Sequence, residues 1–192
     1  LTNKKTELDK SNYKPVSYSQ TTITELMIPS YANFGGKIHG GILLSLMDKV
    51  AYACAAKHSG DYCVTVSVDT VDFLHPVEVG DLVSLLASVN HVGKTSLVVG
   101  IKVLAENVTK GNVRHTNTSF FTMVCMGTDN KPKEIPGLVL ENREDVRRYL
   151  EAIKRKELKN NYKKELNNQK TRITIDKELY KLENERCIIK NL

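Results

Sequence analysis

No stretch of this 192-residue chain comes near the roughly 18 to 20 consecutive apolar residues that a membrane span requires. Leu1 to Lys14 is polar and charged and lacks an apolar h-region, so it is not expected to be a secretory signal. CxxC spacing is missing as well. Cys54, Cys63, Cys125 and Cys187 are scattered through apolar or helical stretches and are expected to be reduced, buried thiols of a cytoplasmic protein. His39, His58, His75, His91 and His115 are dispersed, which leaves no zinc-ligand set, and no metal is expected. There is no internal repeat. A basic block is lacking too, although the net charge is +6. Residues 141–192 hold 15 Lys/Arg against 10 Asp/Glu, whereas residues 1–140 hold 13 against 12. The excess therefore belongs to the tail, where it is interspersed with acids, and no nucleic-acid footprint is expected on the core.

What is present suffices for one domain with a sizeable core, since 41% of the residues are hydrophobic. Residues 1–17 read as a loose arm. Tyr18 to Ile28 alternates Thr22, Thr24, Leu26 and Ile28 on one side, as a strand does. Pro29-Ser30 ends it, and a Gly-rich loop follows over 31–38. From Gly40 to about Lys57 the pattern is helical, with Ile42, Leu43, Leu46, Met47, Val50, Ala51 and Cys54 wrapping more than one face, which predicts an enclosed helix. After Ser59-Gly60-Asp61 the period switches to two. Val64, Val66 and Val68 lead through Val71, Phe73 and Leu74 to His75-Pro76. Long strands are then predicted over Leu82–Val92, Thr95–Leu104 and Val113–Met126, joined by short turns that imply antiparallel neighbours. One sheet wrapped around one long helix satisfies this order. Val146, Tyr149, Leu150 and Ile153 recur at helical spacing in the charged region after Glu141 and predict an amphipathic helix whose apolar stripe packs on a core or a subunit. Residues 160–192 read either as a second helix or as partly disordered.

The densest signal runs from Asn33 to Asp48. An amide sits in a Gly-rich loop, His39-Gly40-Gly41 opens the helix, and an acid follows two turns in, where a core contact is expected. An acid on a buried helix is costly unless it is paired or has chemistry to do. Asn33, His39-Gly40-Gly41 and Asp48, together with the downstream Phe73-x-x-Pro76-x3-Gly80-Asp81 and Gly93-Lys94-Thr95-Ser96 turns, resemble the hotdog-fold acyl-CoA thioesterases, in particular the brain acyl-CoA hydrolase and bacterial YciA-type subgroup. The resemblance covers about residues 18–135. It implies an α+β hotdog fold with an antiparallel sheet around one central helix, to which residues 136–192 add a helical extension. It implies a dimer with sheets joined edge to edge and sites between protomers, often as a trimer of dimers. It also implies Asp48 as the catalytic carboxylate, Asn33 as a site partner often supplied by the opposite subunit, the Gly40 amide facing the thioester carbonyl, and coenzyme A near Gly93–Ser96.

The chemistry these residues would serve is thioester hydrolysis. A thiolate leaves readily, because a thiol pKa is about 8.5, so one carboxylate plus backbone donors is enough. Asp48 would act as general base on water or attack directly to form an anhydride, the base role being favoured with Asn33 positioning the water. The Gly40 and Gly41 amides at the helix start suit an oxyanion. His39 is a neighbour of the acyl carbonyl or simply a cap. Thr65 and Ser67 are possible lining groups, with ordinary strand polarity as the alternative. Lys94, Thr95 and Ser96, with Arg114 at the start of the last strand, are candidates for the CoA phosphates. No cofactor is expected, since coenzyme A is part of the substrate and product. The competing readings are a non-catalytic acyl-CoA-binding regulator on the same fold and a dehydratase acting on 3-hydroxyacyl thioesters. The latter wants a His base paired with an acid, an arrangement that differs from this one.

Overall fold

The structure is a computed structural model that describes residues 12–190. The chain divides into two compact units, Leu1–Ala152 and Ile153–Leu192. In the first, strand β1 (Tyr13–Pro15) and a single turn α1 (Val16–Ser19) precede β2 (Thr21–Leu26). The long helix α2 (Gly40–Ser59) follows, then β3 (Cys63–Val68), β4 (Asp81–Val92), β5 (Ser96–Asn107), β6 (Asn112–Cys125), β7 (Gly137–Val139) and the start of α3 (Arg143–Lys170). β2, β4, β5, β6 and β3 form one antiparallel sheet in that order. Consecutive strands β4, β5 and β6 lie side by side because tight turns connect them, and Gly111 supplies the positive φ of 68° that the β5–β6 turn needs.

α2 lies across this sheet. Its buried residues are Leu43, Leu46, Met47, Val50, Ala51, Cys54, Ala55 and His58, an i, i+3/i+4 stripe that faces Val83, Leu85, Val99, Ile101, Phe121 and Met123 in one core. Enclosure all round, which the apolar composition suggested, is not what forms. Leu44, Ser45, Asp48, Lys49 and Tyr52 occupy an exposed face of the helix.

Three further elements depart from expectation. The arm ends earlier than residue 17, because Tyr13–Pro15 pairs in parallel with Gly137–Val139 and Val16 and Ser19 are buried; residues 1–11 lie outside the described residues. That short helix also trims the strand predicted from Tyr18. Residues 71–76 are not a continuation of β3. They touch β6 only through isolated bonds such as Leu74 N–H to the Thr116 carbonyl at 2.9 Å, because Pro76 has no amide hydrogen to extend a ladder. The buried positions of α3 within the first unit are Asp145 and Ala152, with Tyr149 against His91 (ring centroids 4.8 Å apart), whereas Val146 and Leu150 are exposed. Asp145 is tolerated there because it accepts from the Glu141 N–H and the Asn142 side chain while Asn142 accepts from the Asp145 N–H, a reciprocal cap. The second unit holds the rest of α3 and a short helix α4 (Ile175–Glu178), both largely exposed. Cys54, Cys63 and Cys125 are buried as expected, but Cys187 in this unit is exposed.

Candidate active site

Asp48 projects from the exposed face of α2 toward β3, the edge strand that follows it. The Thr65 hydroxyl donates to Asp48 Oδ1 at 2.6 Å. That bond fixes one carboxylate oxygen and leaves Oδ2 for a substrate or a water. The premise of a carboxylate sunk in a closed core is thus corrected. Within one chain Asp48 and Thr65 are both exposed. They border an apolar surface of Leu44, Tyr52, Tyr62, Val66 and Val68 beside a strand edge that no other strand covers. Unpaired edges flanked by apolar side chains are templates for another copy.

The N-terminus of α2 has a different construction. His39 is the N-cap, and its Nδ1 accepts the Gly41 N–H at 2.8 Å. A Cβ at residue 41 would lie 2.9 Å from that nitrogen, so any larger residue there would have to displace the ring. The Gly41 amide is therefore spent on the cap and is not a free oxyanion donor. The Ile42 N–H goes to the His39 carbonyl at 3.0 Å. The Gly40 N–H takes part in neither bond and is the donor left at the positive end of the helix dipole. The Phe73 ring borders it, within 3.4 Å of where a Gly40 Cβ would stand. Asn33 turns the preceding loop: its Oδ1 accepts from the Gly35 N–H (2.9 Å) and the Lys37 N–H (3.2 Å), leaving only Nδ2 for other partners.

Gly40 and Asp48 do not meet within one chain. Eight residues of helix separate them by about 12 Å, whereas reacting atoms must come within about 3.5 Å.

The candidates for CoA contacts separate into two places. On β6, Met123 is in register with both Thr65 of β3 and Leu97 of β5. The Gly93–Ser96 turn is thus at the Thr65 end of the sheet, two strand spacings or about 10 Å across. Its backbone is already committed, with the Gly93 N–H on the Ser96 carbonyl and the Lys94 and Thr95 carbonyls accepting from Ile135 and Cys125. The Lys94 ammonium and the Thr95 and Ser96 hydroxyls are what it can present. Arg114 is at the other end: it faces Ala105, ten residues along β6 from the Val124–Ser96 pair, or about 30 Å away. There it is bound to buried Asp81 at 2.5 Å. Ser67 is also turned away, because a bulge after Thr65 brings it into register with Thr122, on the other face of β6 from Met123.

Comparison with known proteins bears on this geometry. The thioesterase superfamily matches residues 35–112. Protein VdlD of Helicobacter pylori is 46% identical over 134 residues, spanning 70% of this chain and 76% of VdlD. An uncharacterized acyl-CoA thioester hydrolase of Bacillus subtilis, YkhA, is 34% identical over 146 residues, 76% of this chain and 85% of its own. The chain belongs to the hotdog-fold acyl-CoA thioesterases. Among solved members of the family, an apo-hexameric acyl-CoA thioesterase superposes with a TM-score of 0.76 at 37% identity, covering 78% of this chain and 96% of that one. The acyl-CoA hydrolase of Staphylococcus aureus, solved with butyryl-CoA, CoA and CoA disulfide, gives 0.75 at 29% identity over 82% of this chain and 96% of its own. That enzyme has also been solved as separate Asn-to-Ala, Asp-to-Ala and Thr-to-Ala mutants. The three mutated positions are spaced by fifteen and then seventeen residues, as are Asn33, Asp48 and Thr65.

Two features of this thioesterase site were not readable from residue order. Thr65 had no better claim than Ser67 until the bulge separated them, and Phe73 gave no hint that it would flank Gly40. A paired reading of Asp48 with the first hydroxyl on the next strand would have been the only available signal.

Proposed function

We propose that this thioesterase hydrolyses acyl-CoA at sites shared by two copies of the chain, each site combining Asp48 and Thr65 of one subunit with Asn33 and Gly40 of its partner. The observation that carries the reading is the separation of Asp48 from Gly40 along one rigid helix: a single chain holds a base and an oxyanion donor too far apart to act on one carbonyl. A two-fold axis along the uncovered β3 edge would bring the halves together and cover the apolar surface. Asp48 Oδ2 takes the proton of a water that Asn33 Nδ2 and its loop help to orient, and that water attacks the thioester carbon. The developing oxyanion accepts from the Gly40 N–H, a contact worth roughly 3 kcal/mol in comparable sites. The C–S bond of the tetrahedral intermediate then breaks, and the CoA thiolate takes up the proton that Asp48 acquired, which restores the carboxylate. Thr65 holds the carboxylate in its attacking orientation, and Lys94, Thr95 and Ser96 meet the CoA phosphates. Further assembly into a trimer of dimers accords with the hexameric relative, and the buried thiols fit a reducing, cytoplasmic setting.

A thiol-release assay with acyl-CoAs from acetyl to palmitoyl tests the activity. Asp48→Ala is expected to lose roughly 10²- to 10⁴-fold in turnover with its fold and assembly intact; retained turnover in that variant would reject Asp48 as the base, whereas acyl-CoA binding without turnover by the wild type would favour the binding-regulator reading. The shared site has its own test. Asp48→Ala and Asn33→Ala chains, each inactive alone, are co-expressed under two tags and the hybrids purified. One of the two sites in each hybrid dimer would be intact, restoring about half the wild-type activity. Sites contained within single chains would stay dead in the mixture.

A further inference from the structure

On the opposite face of the sheet from α2, a cleft of about 590 Å³ opens between β2, β4, β5 and β6 and the first turns of α3. None of the thioesterase residues lies in it. Its floor carries a polar side chain that faces the cleft. Asn90 is only 6% exposed, and its Oδ1 accepts from the Ser88 hydroxyl at 3.1 Å, which leaves its Nδ2 as a donor toward the cleft with no partner among the described residues. The carboxamide lies over Gly100, where a Cβ would come within 2.2 Å of Nδ2, so β5 has no side chain at the one place where this amide rests.

The remaining free polarity of the cleft is of the same sign. Lys102 lines it with no partner among the described residues, and Arg148 reaches in to donate to the Ser88 hydroxyl at 3.3 Å. Arg147 completes three cations against the two carboxylates present, Glu144 and Glu151. Those carboxylates are already turned onto the arginines, Glu144 binding both Arg147 and Arg148. A cleft whose unspent groups are an ammonium, guanidinium N–H groups, the Asn90 amide N–H and the Thr22 hydroxyl asks for a ligand rich in acceptors. A carboxylate with two oxygens is too small to use them, whereas a phosphate or diphosphate is not. Leu86 and Phe120 supply an apolar wall for the rest of such a molecule, and the volume is in the range of metabolite sites.

We propose that this outer-face cleft binds a phosphorylated metabolite of up to nucleotide size, through Asn90, Lys102 and Arg148. Two sources share that chemistry, a free nucleotide and the phosphorylated end of coenzyme A. Isothermal titration of the full-length protein with pyrophosphate, ADP, CoA and, as an uncharged control, adenosine separates them. Pyrophosphate or ADP binding that weakens at least tenfold in both Lys102→Glu and Asn90→Leu supports the site, with ADP favoured over pyrophosphate if Phe120 and Leu86 receive the base. For CoA, a second equivalent per chain that disappears in Lys102→Glu identifies the CoA source. Lys102 is exposed, so that variant is expected to fold and to keep wild-type thiol release at saturating acyl-CoA, which separates this site from the catalytic one. No binding of any phosphate compound at millimolar concentration, or binding that neither variant changes, would overturn the proposal.

Discussion

The two ends of α2 each carry a histidine, and the contrast between them shows how one helix is both anchored and left open. At the C-terminal end the cap, a carbonyl of the last turn and one ring nitrogen are engaged. Gly60 takes the left-handed cap conformation at φ 82° and returns its N–H to the Ala56 carbonyl at 2.8 Å. The Lys14 ammonium closes on the His58 carbonyl at 2.7 Å, a cation where the helix dipole is negative. The His58 ring is fully buried and its Nε2 meets the Pro136 carbonyl at 3.1 Å, tying the helix to the segment that leads into β7. At the N-terminal end the His39 ring is exposed and satisfies one amide only, leaving Gly40 open. The same residue type thus serves as a bolt where it is buried and as a partial cap where it is exposed and leaves one amide of the first turn open.

Truncating the bolt should give the largest effect. His58→Ala leaves a cavity and an unpaired Pro136 carbonyl, and is expected to cost about 3 kcal/mol in urea unfolding while turnover per folded molecule stays near wild type. Thr65→Val strikes the open half. It removes a charge-assisted bond worth roughly 2 kcal/mol, which corresponds to about thirtyfold in kcat, with the midpoint of unfolding almost unmoved. Gly41→Ala is milder. The added Cβ displaces the His39 ring and with it the cap that fixes the turn presenting Gly40, so a fall of about tenfold in kcat, near 1.4 kcal/mol, should accompany a small loss of stability. If Gly41→Ala instead destabilised as strongly as His58→Ala and spared kcat, the two ends would not differ in kind.

Legibility from sequence followed the same division. The stripe Leu43, Leu46, Met47, Val50 and Cys54, the alternation of β3 to β6 and the Gly-rich turns reflect periodicity and backbone chemistry, which are local. They were readable with ends shifted by one to three residues. Asn33, His39, Gly40 and Asp48 stood out as a group because their spacing is itself a pattern. What was hidden depended on register and on contacts between distant segments. The bulge that separates Thr65 from Ser67, the engagement of the Gly41 amide by a neighbouring ring and the pairing of Arg114 with Asp81 leave no trace in residue order. The exposure of Asp48 misled for a related reason: a helix face that carries apolar residues while exposed, as Leu44 and Tyr52 do, has the same composition as one buried in its own chain.

The smallest expected effect lies in the acid response of the buried histidine. Burial lowers the His58 pKa below its ordinary 6.5, outweighing the Pro136 carbonyl, which raises it. With Nε2–H donated to that carbonyl, Nδ1 is left as an unprotonated buried nitrogen without a partner. A second proton there would point into the core, so the folded state resists it while the unfolded chain accepts it near 6.5. Between those two values the unfolded state binds more protons, and stability rises with pH. His58 therefore penalises folding as the pH drops below about 6.5, and the penalty grows until the lower folded-state value is reached. His58→Gln retains an N–H for Pro136 and has nothing to titrate. Thermal unfolding from pH 7 to pH 5 should show a shallower decline for that variant than for the wild type. Parallel declines for wild type and His58→Gln would mean that the buried ring takes no part in the acid response.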